Sequence, residues 1–136
     1  MNVEEARDFV REHKRAVLAT MRSNGTPQMS PVAVEVDDDG LIIISTRETA
    51  MKTHNVRRDP RVWLAVLRAD FFPPWGLIEG RASVLSLPEA MEPLVDYYRR
   101  VAGEHPDWDD YRQAMERDKR VLLRIEITKV GPERQG

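Results

Sequence analysis

The sequence predicts a mainly β fold with α-helices, in which six antiparallel strands curl into a small β-barrel and the helices pack outside it. Six short segments have the β-branched or alternating composition of strands, and most connections between them are hairpin-like. Amphipathic helical segments lie between and outside the strands. Because there is no internal repeat, linker or low-complexity segment, we expect residues 1–136 to form one domain.

Composition limits the possible classes of function. The 136 residues include 21 lysines and arginines, 23 acids and no cysteine, for a net charge of −2. Disulfides, thiolate metal sites and a cysteine nucleophile are therefore excluded. The small net charge does not favour a general attraction to nucleic acid or membranes. No apolar run approaches the roughly 20 residues of a membrane helix, and the charged N-terminus is unlike a signal peptide, so we expect a cytoplasmic protein.

The first predicted elements are a helix and a β-hairpin. Asn2 is a candidate helix cap, with Glu5 in capping-box spacing. A strand follows over 15–21, and the turn at 23–25 (SNG) contains residues that tolerate a positive φ. The return strand is predicted over 27–36.

The return strand contains a proline. Pro31 cannot donate to a β-ladder, which predicts an edge strand or a bulge. Alternation along the strand places Gln28, Ser30 and Val32 on one face.

A buried strand over 41–44 (LIII) leads into a cationic segment, 45–61, which begins with two hydroxyl residues. Its charged residues are Arg47, Lys52, His54, Arg57, Arg58 and Arg61, opposed by Glu48 and Asp59. Hydroxyls and a helix N-terminus donate hydrogen bonds to anions, and lysine or arginine adds charge. The alternative is an ordinary strand followed by a solvated basic helix.

A short helix is predicted over 49–58, which places Lys52, Asn55 and Arg58 near one another. Nucleic acid is a weaker candidate ligand than a phosphorylated small molecule or cofactor, because basic residues are confined to this segment.

A second set of strands follows the cationic segment. Strands are predicted over 62–69 and 76–85, the second with a bend or bulge at Gly80. The loop between them, 71–75 (FFPPW), holds three aromatic rings that we expect to pack on the core, a partner chain or a flat ligand.

The C-terminal part is predicted to contain two helices and the last strand. The first helix opens near 86–89 and contains Pro93, a candidate kink. The second begins at 107–110, and the closing strand, 120–130, alternates strictly.

The residues do not form a recognisable catalytic constellation. The three histidines lie in polar contexts, and there is no G-x-S-x-G, G-x-G-x-x-G or P-loop motif. The acidic run at 37–40 is read as a turn, because it lacks calcium-loop spacing. An enzyme built on this chain would need a cofactor to carry the chemistry.

The order of these segments resembles the pyridoxamine-phosphate-oxidase-like split-barrel family of flavin and deazaflavin binders. The motifs that carry the resemblance are AVLATMRSNGTPQMSPV, LIIISTRETAMKTHNVRRDPRV, W-G-x-x-x-G-x-A and GEHPDWDDYRQAMERDKRVLLRI. The last of these, and Lys52 in its context, are most similar to the actinobacterial branch that uses the deazaflavin coenzyme F420. The resemblance covers nearly the whole chain.

The resemblance implies a six-stranded split barrel that works as a homodimer, with two cofactor sites at the interface. In that family pattern the ring system is lined by Gln28, Ser30 and Val32. The ring and ribityl chain are bordered by Ile44, Ser45 and Thr46, and Lys52 and Asn55 lie near the phosphate and the ring edge. Trp75 and Gly76 would come from the partner subunit. The residues assigned to the cofactor are Gln28, Ser30, Val32, Ile44, Ser45, Thr46, Lys52, Asn55, Arg58, Trp75 and Gly76.

The chain departs from the family pattern at two positions. Ala50 stands where close relatives often carry an arginine, so Arg47 or Arg58 would have to supply that charge. Pro31 stands where relatives have a polar residue, and it removes a backbone donor.

The function implied by the resemblance is that of an F420-dependent reductase, which passes a hydride to an electron-poor small-molecule substrate. The alternatives are an FMN-dependent oxidase or flavin reductase, and a non-catalytic protein that stores or carries the deazaflavin. No catalytic residue or metal ligand is assigned.

Overall fold

The computed structural model describes residues 1–134, which form seven strands and four helices. The strands are β1 (Arg15–Met21), β2 (Pro27–Ala33), β3 (Glu35–Val36), β4 (Ile42–Arg47), β5 (Arg61–Val66), β6 (Gly76–Leu85) and β7 (Arg120–Gly131). The helices are α1 (Val3–His13), α2 (Met51–Arg58), α3 (Met91–Ala102) and α4 (Trp108–Arg117). Residues 135–136 of the predicted domain lie outside the described part of the chain.

All seven strands join one antiparallel sheet in the order β2-β1-β5-β6-β7-β4-β3. The sheet curls until β2, at one edge, comes into contact with β4, next to the other edge. The result is a half-barrel with flanking helices, which confirms the predicted mainly β, split-barrel fold class. β2 and β4 contact each other without pairing as strands, and this unpaired boundary is called the split.

The predicted number of six strands is wrong, because the predicted return strand over 27–36 is two strands. β2 pairs with β1 until Ala33 lies opposite Arg15, and the two residues of β3 then pair with β4. Val34 forms the corner between them: it is fully buried, and its N–H donates to the Lys14 carbonyl at 3.1 Å. A barrel corner thus divides a run that reads as one strand.

Apolar side chains form two cores, one on each face of the sheet. The first fills the barrel and includes Leu18, Ile44 and Leu64, closed by Val10 of α1. The second lies between the outer face and the α3–α4 hairpin, and its members are Ile43, Ala90, Leu94, Val95, Tyr111, Met115 and Leu122. The helical hairpin therefore covers the outer face of β4 and β7.

Several local predictions are confirmed. Asn2 and Glu5 form a capping box, with the Glu5 N–H donating to Asn2 Oδ1 at 2.8 Å. β2 is an edge strand, as Pro31 requires. The β6–β7 register shifts between Glu79 and Gly80, and a Cβ at Gly80 would lie 2.6 Å from the Glu126 carbonyl oxygen.

Pro93 occupies the third position of α3. In the first turn of a helix the backbone N–H has no intrahelical partner, so a proline there costs no hydrogen bond. A kink is therefore not required.

Candidate cofactor-binding site

The junction between β4 and α2 contains the hydroxyl residues and the first cations of the predicted anion-binding segment. Ile44 and Thr46 lie on the barrel face of β4 and are buried, with 1% and 5% of the residue exposed, so neither is accessible to a ligand within one chain. Ser45 lies on the other face of β4 and is half-buried. α2 then begins without a side-chain cap at Ala50, and Thr53 Oγ1 donates to the Arg47 carbonyl at 2.7 Å to hold the turn.

Most cations of the predicted anion-binding segment already have partners within the chain. Arg57 forms an ion pair with Glu48, whose pKa is lowered mainly by this hydrogen bond. Arg61 pairs with Asp59 at 2.7 Å and lowers the pKa of that carboxyl to about 2. The segment therefore has fewer cations free for a ligand than its sequence indicates.

Lys52 forms no ion pair with any residue in 1–134. It is half-buried, and its pKa is lowered, first by burial and then by the positive charge of Arg120. A nearby carboxylate would have the opposite effect on this pKa. The ammonium group of Lys52 thus lies in a locally positive, partly dehydrated environment, which favours an anion.

Arg58 and Asn55 belong to a hydrogen-bonded chain that runs from the surface into the protein. Arg58 donates to the Met21 carbonyl and, at 3.2 Å, to Asn55 Oδ1. Asn55 is 1% exposed, and its Nδ2 donates to Thr20 Oγ1 at 3.1 Å. Thr20 Oγ1 in turn donates to Gln28 Oε1 at 3.4 Å. Hydrogen bonds therefore connect the predicted site residues Arg58, Asn55 and Gln28, and Thr20, which was not predicted, joins Asn55 to Gln28.

The predicted face of β2 is present. Gln28, Ser30 and Val32 are half-buried on one side of the strand, whereas Met29 and Pro31 are exposed on the other. Ser30 Oγ is buried and has no hydrogen-bond partner among residues 1–134. Such an orphaned hydroxyl is uncommon in a folded protein and calls for a ligand or water.

Tyr97 of α3 closes part of the split. Its hydroxyl donates to the Ala33 carbonyl on β2 at 3.0 Å. Burial raises the pKa of Tyr97, and the backbone of Ser45 on β4 is close enough to act against that rise. The hydroxyl of Tyr97 therefore lies between the two strands that border the gap.

Trp75 and Gly76 lie at the start of β6, far from Lys52 within one chain. Gly76 pairs with Val66, whereas the opposite end of β6, at Leu85, pairs with Leu122 near the Lys52 side of the sheet. Trp75 lines a groove of about 390 Å³ in the aromatic loop, together with Ala65, Leu67, Arg68, Phe71, Phe72 and Pro73. Phe71 and Phe72 are 79% and 69% exposed.

Sequence reasoning missed Tyr97, Arg120 and Thr20. Tyr97 lies beside the apolar stripe of α3, so a helical pattern alone gives it no special role. Arg120 could have been found, because it shares the alternating face of Leu122 and therefore points toward the helix-covered side of the sheet. The role of Thr20 could not be predicted without knowing that α2 packs against β1.

The side chains fit an anionic cofactor with hydrogen-bonding groups. An unpaired lysine, the orphaned Ser30 Oγ and the equally unpartnered Arg120 Nε are donors that lack acceptors in residues 1–134. Within the same residues, no cluster of three histidine or acidic side chains could hold a metal ion. None of the helices described is long and apolar enough to cross a membrane.

The fold defines a split-barrel protein, and its candidate site contains cationic and hydroxyl donors without partners in residues 1–134. A model of the pyridoxamine 5'-phosphate oxidase family matches residues 3–132, and the chain belongs to that family. Among solved structures, the conserved hypothetical protein Rv2991 from Mycobacterium tuberculosis is 29% identical, with a TM-score of 0.77 over 96% of this chain and 82% of that one.

Two other structures resemble the chain in fold. A protein described as an F420 reductase is 19% identical, with a TM-score of 0.69 over 90% of this chain and 93% of its own. HutZ, a heme storage protein from Vibrio cholerae, is 17% identical, with a TM-score of 0.73 over 100% of this chain and 98% of its own.

Proposed function

We propose that the protein is an F420-dependent oxidoreductase that transfers a hydride between reduced deazaflavin and an electron-poor organic substrate. The observation that carries this proposal is the half-buried Lys52, which has no acid partner in residues 1–134. The orphaned Ser30 Oγ on β2 supports it. When bound, the deazaflavin supplies the hydride chemistry.

The roles of this chain's residues are binding and orientation. Lys52 holds the phosphate, β2 contributes the Ser30 hydroxyl, and the backbone of 44–46 borders the ring and ribityl chain. Holding two flat molecules in register is a proximity effect, which needs no acid–base constellation. The buried Asn55 and the exposed Arg58 support this site through their bonds to Thr20 and Met21.

Two considerations favour F420 over FMN. FMN-binding relatives tend to present more arginines to the phosphate, whereas Arg57 and Arg61 are engaged in ion pairs here. A fold neighbour is described as an F420 reductase. FMN, in an oxidase or flavin reductase, remains the alternative cofactor.

The proposal includes a homodimer in which Trp75 and Gly76 of one chain complete the site of the other. It is supported by the exposed Phe71 and Phe72, because large apolar rings are usually covered in the working assembly. The cytoplasmic location and the absence of a nucleic-acid partner stay predictions.

A non-catalytic cofactor carrier is the second candidate, because the neighbour HutZ is described as a storage protein. A single-turnover assay separates the two: the protein is loaded with reduced F420 and mixed with quinone, enone and nitro-aromatic acceptors. Oxidation that is faster than in protein-free solution supports the oxidoreductase. Tight binding with no acceleration by any acceptor would favour the carrier.

A further inference from the structure

Arg120, the first residue of β7, is an unpaired cation on the helix-covered face of the sheet. It lies directly opposite Arg47 of β4 in the strand register and shares its face with Leu122 and Arg124. Arg120 is half-buried, and its Nε is buried without a hydrogen-bond partner among residues 1–134. A buried guanidinium N–H without a partner calls for a bound water or an anion, and guanidinium is well suited to bind phosphate or carboxylate.

The positive charge of Arg120 reaches groups on three helices. The pKa of Lys52 on α2 is lowered mainly by burial and further by the charge of Arg120. Burial raises the pKa values of Tyr97 on α3 and Tyr111 on α4, and the charge of Arg120 acts against that rise. Arg120 therefore lies where these helices meet the ends of β4 and β7.

Acids near Arg120 are already neutralised. Arg120 lines a cavity of about 290 Å³ together with Glu48, Ser86, Leu87, Lys119 and Val121. The one carboxylate among these lining residues, Glu48, is in an ion pair with Arg57. Two half-buried cations, Arg120 and Lys52, thus repel each other with no counter-charge from residues 1–134, and an external anion would relieve that repulsion.

Other cations are less suited to assist Lys52. Arg58 is committed to the Met21 carbonyl and Asn55. Arg47 is exposed, so water screens its charge. Ala50, the cap of α2, has no polar side chain to offer.

We propose that Arg120 is the second cation of the cofactor's phosphate site, and that it makes the protein select phosphorylated over unphosphorylated flavin-type ligands. This inference rests on the proposed function for the identity of the ligand, but the anion-binding role of Arg120 can be tested separately.

The test compares the wild type, Arg120→Gln, the charge-preserving Arg120→Lys and the control Arg124→Gln. Arg124 is matched because it lies on the same strand and face and also has an unpartnered Nε, but it lines the acidic cleft of Asp37 and Glu92. Each protein is titrated with F420 and with its unphosphorylated deazaflavin alcohol, and its melting temperature is measured with and without inorganic phosphate.

We expect Arg120→Gln to weaken F420 binding by about 10- to 100-fold, the range of a charge-assisted hydrogen bond, and to leave binding of the alcohol unchanged. Arg120→Lys should recover part of the loss, and Arg124→Gln should bind both ligands as the wild type does. Equal loss for both ligands, or an equal loss in Arg124→Gln, would overturn the proposal.

If the wild type binds neither F420 nor FMN, the proposed function fails. The anion-binding role of Arg120 is then tested only by the melting temperatures with and without phosphate. Stabilisation by phosphate that is lost in Arg120→Gln but kept in Arg124→Gln would support the anion site. The same stabilisation in both variants would refute it.

Discussion

The hydroxyl of Tyr97 donates a hydrogen bond to the backbone carbonyl of Ala33 at 3.0 Å, from helix α3 to the free edge of strand β2. The register explains why this carbonyl is available: Ala33 lies opposite Arg15 and the Val34 N–H bonds to the Lys14 carbonyl, so Ala33 is a non-hydrogen-bonded position whose carbonyl points away from β1. Because the backbone of Ser45 on β4 is also near this hydroxyl, Tyr97 connects the two strands that border the split.

Tyr97→Phe should therefore lower the free energy of unfolding by about 1 kcal/mol, the usual net value of one hydrogen bond. Urea denaturation measures the change. Tyr98→Phe is the matched control, since the Tyr98 ring packs on Tyr111 but its hydroxyl makes no hydrogen bond to residues 1–134. Equal losses in the two variants would show that the Ala33 bond is not the cause.

Asn55→Ala should destabilise the protein by about 1–3 kcal/mol, because its buried amide serves both Thr20 and Arg58. His54→Ala, at an exposed position of the same helix, should change stability little. Urea denaturation and cofactor titration are made on both variants. A loss of cofactor affinity with unchanged stability would mean that Asn55 contacts the cofactor directly instead.

The lowered pKa of Lys52 predicts a pH dependence of stability. Between the lowered pKa of the folded state and the ordinary value of 10.5, the unfolded chain binds more protons than the folded one. The free energy of unfolding therefore rises with pH in that window. Below the lowered pKa, Lys52 is charged in both states, and the full cost of burying its charge lowers the stability of the fold.

Lys52→Met should remove this rise. Urea midpoints measured from about pH 8 to about pH 10 should increase less with pH in Lys52→Met than in the wild type. Lys129→Met, which replaces a lysine that is 71% exposed, is the control. Parallel pH profiles for wild type and Lys52→Met would contradict a lowered pKa.

Replacing Phe71 and Phe72 together by serine should weaken the proposed dimer without unfolding the chain, because both rings are exposed. Sedimentation equilibrium measures the association, and circular dichroism checks the fold. If the wild type is already a monomer that binds cofactor normally, the shared-site arrangement is wrong.

Local chemistry made much of the fold predictable. The capping residues Asn2 and Glu5, the edge proline Pro31 and the bulge glycine Gly80 each have a conformational requirement that is readable from sequence. The corner at Val34 was not predictable in this way, because it is set by where β1 ends and β4 begins to pair, which is a property of the barrel.

The alternation of the β2 face was predictable from sequence, and the cofactor roles of Lys52 and of that face stay predictions. Arg120 could be placed on the helix-covered face by the alternation of its strand, but its lack of a partner is seen only in the structure. Tyr97 was not predictable, since its bond to β2 joins elements that are far apart in the chain. The ion pairs that engage Arg57 and Arg61 are likewise visible only after folding.

The most direct test of this account is a titration of the purified protein with F420 and, separately, with FMN, followed by cofactor absorbance and tryptophan fluorescence. The same titration is made with Lys52→Ala and the control Lys129→Ala. We predict saturable binding with a preference for F420, a loss of about tenfold or more in Lys52→Ala, and no change in Lys129→Ala. Preference for FMN, or binding that is indifferent to Lys52, would contradict the proposed deazaflavin site.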